Sequence, residues 1–115
     1  MNVDKEQIKG HFESIILKTL FNEDSYGYEI LKKIKEESDN NLLLLEGTLY
    51  VVLKRLEKNN FVISYWDDGN KSGARRRYYK ITDSGKKYFY IKQKEWMLLK
   101  ELLDKFYLGG DRKST

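Results

Sequence analysis

Apolar residues recur along this chain first at helical spacing, then at strand spacing, then at helical spacing again, and those changes divide it into elements. Ile8, Phe12, Ile15, Ile16, Thr19 and Leu20 form a helical stripe, so a first helix is expected over residues 5 to 22. Asn22-Glu23-Asp24-Ser25 interrupts it. Ser25 is suited to cap a second helix, because its hydroxyl can accept from a free amide of the next turn. That helix would bury Tyr28, Ile30, Leu31 and Ile34 and end near Ser38-Asp39-Asn40-Asn41. The apolar run Leu42 to Leu45 is too short for a helix. It is either a small strand pairing with a later hairpin or a connector packed under it. Leu49, Val52, Leu53 and Leu56 then give a third helix one apolar face, and Asn59-Asn60 breaks it. Leu45 stands where a Ser, Asn or Asp cap is usual; Glu46 complements the helix dipole, and tertiary contacts are expected to hold this end.

Beyond the break, Phe61 to Trp66 and Arg75 to Ile81 flank the turn-rich octet Asp67-Asp68-Gly69-Asn70-Lys71-Ser72-Gly73-Ala74, the pattern of a hairpin with a long tip. Strand alternation sets Tyr79 and Ile81 inward, so Arg76, Tyr78 and Lys80 face the other way, and Arg75, Arg76 and Arg77 cannot share one face. Thr82-Asp83 caps a last helix expected from about Ser84 to Tyr107. Such a helix spans roughly 36 Å. Its apolar residues cover more than one packing stripe. One part can lie on the first helix, and the rest is an exposed patch unless a second chain covers it. A homodimer through Leu98, Leu99, Leu102, Leu103 and Phe106 is the economical answer. Gly109-Gly110 ends this helix and Asp111 to Thr115 is expected to fray.

Composition narrows the function. A chain of 115 residues with 40% hydrophobic content supports one small core. There is no cysteine, and His11 is the single histidine, with no cluster of acids or histidines around it in the pattern, so no metal or cofactor is expected. No nucleophile–base pair or phosphate-cradling glycine loop argues for an enzyme, so no catalytic residue is assigned. No apolar run reaches the roughly 18 residues of a membrane span, which together with the lack of a signal sequence implies a cytoplasmic protein. The net charge is only +4, yet Lys71, Arg75, Arg76, Arg77 and Lys80 gather between Gly69 and Lys80 with no acid among them.

Charge and pattern meet at the third helix. Its polar side carries Thr48, Tyr50, Val51, Lys54, Arg55 and Lys58, groups that reach base edges and phosphates. Such a face alone is often merely solvated. A basic hairpin following directly turns the pair into the outline of a winged helix-turn-helix: mostly α, with a small β-hairpin wing. Gly47 costs roughly 1 kcal/mol of helix propensity, which suits either a close phosphate or a tight entry into the helix. The rival reading from the residues is a small-molecule-binding or protein-interaction module whose basic hairpin grips an acidic partner.

Tyr26-Gly27-Tyr28-Glu29-Ile30, Gly47-Thr48-Leu49-Tyr50, Leu53-Lys54-Arg55-Leu56-Glu57, Arg76-Arg77-Tyr78-Tyr79-Lys80-Ile81-Thr82 and Gly85 stand in an order and spacing that resembles the PadR-type transcriptional regulators, specifically the short subgroup with one C-terminal helix. The likeness runs from about Ile8 to Leu103 and departs at Leu45-Glu46 and at Phe61. It implies a dimeric repressor on an inverted-repeat DNA operator. Residues 1–82 would be the DNA-binding domain, 83–108 the dimerisation helix and 109–115 a flexible tail. The expected DNA contacts are Tyr28, Gly47, Thr48, Tyr50, Lys54, Arg55, Lys71, Arg75, Arg76 and Arg77. The subgroup also implies that Trp96 lines a pocket at the dimer axis where planar aromatic compounds stack, with Ile15, Tyr88, Lys92 and Leu99 around it. Read from residues alone, Trp96 fits the packing of a dimer core better than a ligand site, and only the resemblance brings the two level.

Overall fold

The computed structural model describes residues 4–68 and 75–109; residues 69–74 of the expected hairpin tip, Lys71 among them, lie outside the described residues, as does the tail from residue 110, while Asp67, expected in the tip, ends a strand. Elements follow in the order α1 (Lys5–Ile8), a 3-10 turn (Lys9–His11), α2 (Phe12–Thr19), β1 (Ser25–Tyr26), α3 (Gly27–Glu37), α4 (Glu46–Lys58), β2 (Val62–Asp67), β3 (Arg76–Ile81) and α5 (Asp83–Tyr107). The first helix is therefore not continuous. Gly10, a weak helix former, sits in the 3-10 turn, and His11 leaves the helical region at φ −107. Helical geometry also stops at Thr19, whose hydroxyl bonds back to the Ile16 carbonyl.

Ser25 is not a cap. It belongs to β1, and Tyr26 precedes α3 without a side-chain cap bond. The buried Ser25 hydroxyl instead accepts from Lys33 Nζ at 2.6 Å, while Lys33 also reaches the Thr19 carbonyl and Glu23. Satisfying that oxygen with a lysine ammonium lets a polar group sit in the core. Tyr28 is 67% exposed, contrary to its expected burial. Ile30 and Ile34 define the inward face of α3, and a residue two positions away points elsewhere. Leu42–Leu45 is the connector and not the strand. The third strand is β1, giving the order β1-β3-β2 with Tyr26 opposite Tyr78.

One closed core holds this head together. Ile16, Leu17, Leu20, Ile30, Ile34, Leu49, Val52, Leu53, Leu56, Val62, Tyr79 and Ile81 are all buried. Each large side chain removed from water there contributes roughly 1.5–3 kcal/mol. Asn60 ends α4 at φ 63, a left-handed conformation asparagine tolerates better than most residues, and Phe61 N bonds back to the Leu56 carbonyl.

α5 starts from a tight joint. Thr82 accepts from Gly85 N, donates its hydroxyl to the Asn60 carbonyl, and bonds through its own amide to the Phe61 carbonyl. A Cβ on Gly85 would run into that Phe61 carbonyl oxygen. The helix packs its first turns on α2 and then leaves the head, stretching the molecule to 66 Å.

Candidate nucleic-acid interface

The core dictates which face of α4 is free. Leu49, Val52, Leu53 and Leu56 are buried, so Tyr50, Val51, Lys54 and Arg55 project outward, with Thr48 half-buried in the first turn. Leu45 supplies no side-chain cap, as expected, and Glu46 lies in the first turn. A Cβ on Gly47 would meet nothing within 4 Å, so no internal packing demands glycine. That leaves room for a close-approaching phosphate backbone. Val51, 63% exposed, adds an apolar spot to the same face, suited to a thymine methyl.

Tyr50 is aimed by a neighbour. A Cβ on Gly27 would collide with the Tyr50 hydroxyl, so the ring lies against the N-terminal end of α3 only because position 27 has no side chain. Tyr28, one residue on, stands exposed beside it and stacks on Tyr26 with centroids 6.5 Å apart. Gly27 was not among the expected site residues, although the Tyr26-Gly27-Tyr28 motif marked the place.

The three wing arginines are separated as strand alternation requires. Arg76 lies over Tyr26 on the outer face, its carbon 4.5 Å from the ring centroid, on the side that also carries Tyr65 and Tyr78. Arg77 turns to the other face and is drawn onto the end of α4: its guanidinium bonds to Ser64 and to Glu57, and Ser64 donates to Glu57. Arg75, most exposed of the three, lies 4.8 Å from the Trp66 ring centroid and 4.0 Å from an Asp68 oxygen. Arg75 and Arg76 thus flank the wing, while Arg77 also fastens the wing to the helix.

Arg55 is held as well. Its Nε donates to Glu13 at 2.8 Å, and the other oxygen of Glu13 accepts from the Tyr88 hydroxyl at 2.6 Å. Burial by itself would raise the Glu13 pKa, but the bonds from Tyr88 and Arg55 and the charges of Arg55 and Lys92 hold it below the usual carboxylate value. Burial and the bond to Glu13 push Tyr88 up to about 12.

A groove of about 1010 Å³ lies between α1, α2, the end of α3 and α5. Of the expected ligand residues it is lined by Ile15, Lys92 and Trp96. Tyr88 is turned into the Glu13 network, stacking on Phe61, and Leu99 lies farther along α5, half-exposed. Leu98, Leu99, Leu102, Leu103 and Phe106 are all exposed, forming a long apolar strip with Trp96 and Met97. Among the described residues no helix is long and apolar enough to cross a membrane.

Three helices carrying a three-stranded wing, with the third helix presenting its polar side, define the winged helix-turn-helix class. The family model "Transcriptional regulator PadR-like family" matches residues 16–90. An uncharacterised protein of Lysinibacillus sphaericus is 41% identical over 107 residues, covering 93% of this chain and 97% of that protein. A transcriptional regulator from Clostridium thermocellum has a similar structure, with TM-score 0.83 and 41% identity over 91% of this chain and 98% of that one. A PadR family transcription regulator from Clostridium difficile follows at TM-score 0.75 and 39% identity, over 84% and 98%. The chain belongs to the PadR-like family of transcriptional regulators. Its members regulate transcription and are not enzymes.

Proposed function

We propose that the protein is a cytoplasmic, dimeric repressor that reads an inverted-repeat operator with α4 in the major groove and the wing on the flanking backbone. The observation that carries this reading is the outward face of α4, where Tyr50, Lys54 and Arg55 stand clear of the core, Thr48 lies half-buried at the start and Arg77 of the wing is joined to Glu57 near the end. Thr48, Tyr50 and Arg55 read bases or set the register. Tyr28, Gly47, Lys54, Lys71, Arg75, Arg76 and Arg77 supply backbone contacts, with Arg77 also bracing the wing. The apolar strip of α5, residues Leu98, Leu99, Leu102, Leu103 and Phe106, is covered by a second copy. Two-fold symmetry then sets the α4 helices about one turn of DNA, roughly 34 Å, apart.

Selection of binding sites from random duplexes tests the reading. An inverted repeat should emerge, and Tyr50→Ala should alter preference between sequences. Lys71→Ala should weaken binding to all of them and lower the log–log salt slope by about 1. If both variants bind the selected site like the wild type, α4 and the wing are not the reader.

Trp96 extends the reading to induction. In a dimer its indole would face its mate across the axis, and a planar aromatic ligand between them would gain about 0.5–1.5 kcal/mol per ring pair beyond burial. Lys92 on the groove wall and Lys100 one turn beyond Trp96 favour a neutral or anionic ligand. Such a ligand releases DNA only by preferring a dimer whose α4 spacing does not fit the operator. Titrating neutral, anionic and cationic planar aromatics into a Trp66→Phe protein isolates the Trp96 emission. Quenching by neutral or anionic compounds, abolished in Trp96→Ala, is the expected result.

A further inference from the structure

We propose that Glu13 is a positioning residue of the DNA-reading surface: one oxygen of its carboxylate holds Arg55 of α4, and the other is held by Tyr88 of α5. The inference rests on α4 being the reader, as proposed above. The geometry divides one carboxylate between two elements that the backbone does not join at this point. Arg55 Nε donates to Oε2 at 2.8 Å and Tyr88 Oη donates to Oε1 at 2.6 Å. Tyr88 is itself fixed by stacking on Phe61, centroids 4.3 Å apart and planes 16° from parallel. The Glu13 side chain is only 18% exposed, so water competes weakly for these bonds. The Arg55 side chain, by contrast, is 51% exposed. With Nε engaged by Glu13, the two terminal nitrogens of its fork are left for a base edge in the groove, the contact that separates one sequence from another.

Simple charge and positioning make opposite forecasts here. An acid beside a DNA-reading helix repels phosphate, so neutralising Glu13 should strengthen binding to any duplex if charge is all that matters. If Glu13 positions Arg55, neutralising it should instead erode the preference for operator over other DNA. Preference, and not raw affinity, is therefore the readout that a merely electrostatic or merely structural role would not move in this way.

The experiment measures affinities of the full chain for the selected operator and for a scrambled duplex of equal length at one salt concentration. It compares wild type, Glu13→Gln, Arg55→Gln, Tyr88→Phe and the Glu13→Gln/Arg55→Gln double variant, with helix content checked by circular dichroism. Glu13→Gln and Arg55→Gln should each lower the operator-to-scrambled ratio about tenfold, the lower end of the scale of one hydrogen bond to a charged group. The double variant should fall no further, because both changes remove the same contact. Tyr88→Phe, losing one of the two bonds on the carboxylate, should lower the ratio by a smaller factor. A Glu13→Gln ratio at or above the wild-type value, or losses that multiply in the double variant, would overturn the inference. If Glu13→Gln loses its helical spectrum, Tyr88→Phe/Arg55→Gln takes its place: a loss no larger than that of Arg55→Gln supports the link, and multiplied losses overturn it. A wild-type protein without preference for any duplex sinks the reading of α4 and this inference together. A wild-type preference that survives Glu13→Gln sinks this inference alone.

Discussion

The head and the far part of α5 use similar apolar side chains in opposite ways. In the head, leucines and isoleucines of α2, α3, α4 and the sheet close on one another until little of them meets water. Past Phe89, α5 buries no large apolar residue: Ile91, Trp96, Met97, Leu98, Leu99, Leu102, Leu103, Phe106 and Tyr107 all stand at least 41% exposed. The first region is a finished fold, whereas the second, on the dimeric reading proposed above, is half of a contact. Apolar surface of that extent on a single chain marks an association site.

The comparison can be broken most severely at Leu102. Leu102→Asp should turn the assembled protein into monomer or aggregate in sedimentation while the far-ultraviolet spectrum of the head persists. Wild-type protein that stays monomeric at micromolar concentration would sink the distinction. Leu53→Ala is the mirror experiment: a cavity in the head should lower unfolding free energy by about 2–5 kcal/mol in denaturant titration, with association intact where the protein still folds.

Gly27→Ala sharpens the comparison inside the head. The new methyl meets the outer end of Tyr50, a half-exposed ring that can swing away, so the fold yields at little expense. Alanine also suits a helix better than glycine by up to about 1 kcal/mol. Thermal stability should therefore hold or rise slightly while operator affinity falls. Equal affinity would show that the placement of Tyr50 is immaterial.

The smallest effect expected is alkaline. Tyr88 and Tyr65 are both raised to about 12, Tyr88 chiefly by burial and then by Glu13, Tyr65 chiefly by its bond to Asp24. An unfolded chain releases a phenolic proton near 10, so the unfolded state gains as pH climbs from there to about 12. The stability these two groups lend is complete below 10 and fades across that window. Tyr88→Phe and Tyr65→Phe should each flatten the decline seen in denaturant titrations at stepped pH.

Much of this architecture was legible because long periodic segments announce themselves. α4, the hairpin strands and α5 with its threonine cap all follow from spacing and capping chemistry. The outward face of α4 follows from the same pattern, since fixing Leu49, Val52, Leu53 and Leu56 inward fixes Tyr50 and Lys54 outward. β1 was not legible: two residues carry no period, and their partners Tyr78 and Tyr79 lie more than fifty positions away. Ser25 looked like a cap because caps are local, while the lysine that claims its hydroxyl is brought in by the fold. Tyr28 looked buried because it is aromatic and sits near Ile30, but it falls on the wrong side of the helix. Glu13 left no trace at all, being one acid on the polar side of a helix whose partners stand 42 and 75 residues away.

Gly85 carries a mechanical consequence. Where a side chain would have kept α5 off the Phe61 carbonyl, its absence lets helix and head seat directly, pinned by Thr82 and by the stacked rings of Phe61 and Tyr88. A hinge needs slack, and this joint is closely packed. The 25 residues of α5 therefore leave the head as a boom braced at its root. At 1.5 Å per residue, each degree through which the boom tilts carries its far end about 0.6 Å. On the dimeric reading proposed above, a partner gripping that end would steer the orientation of α4, and small changes in grip would arrive there as rotation.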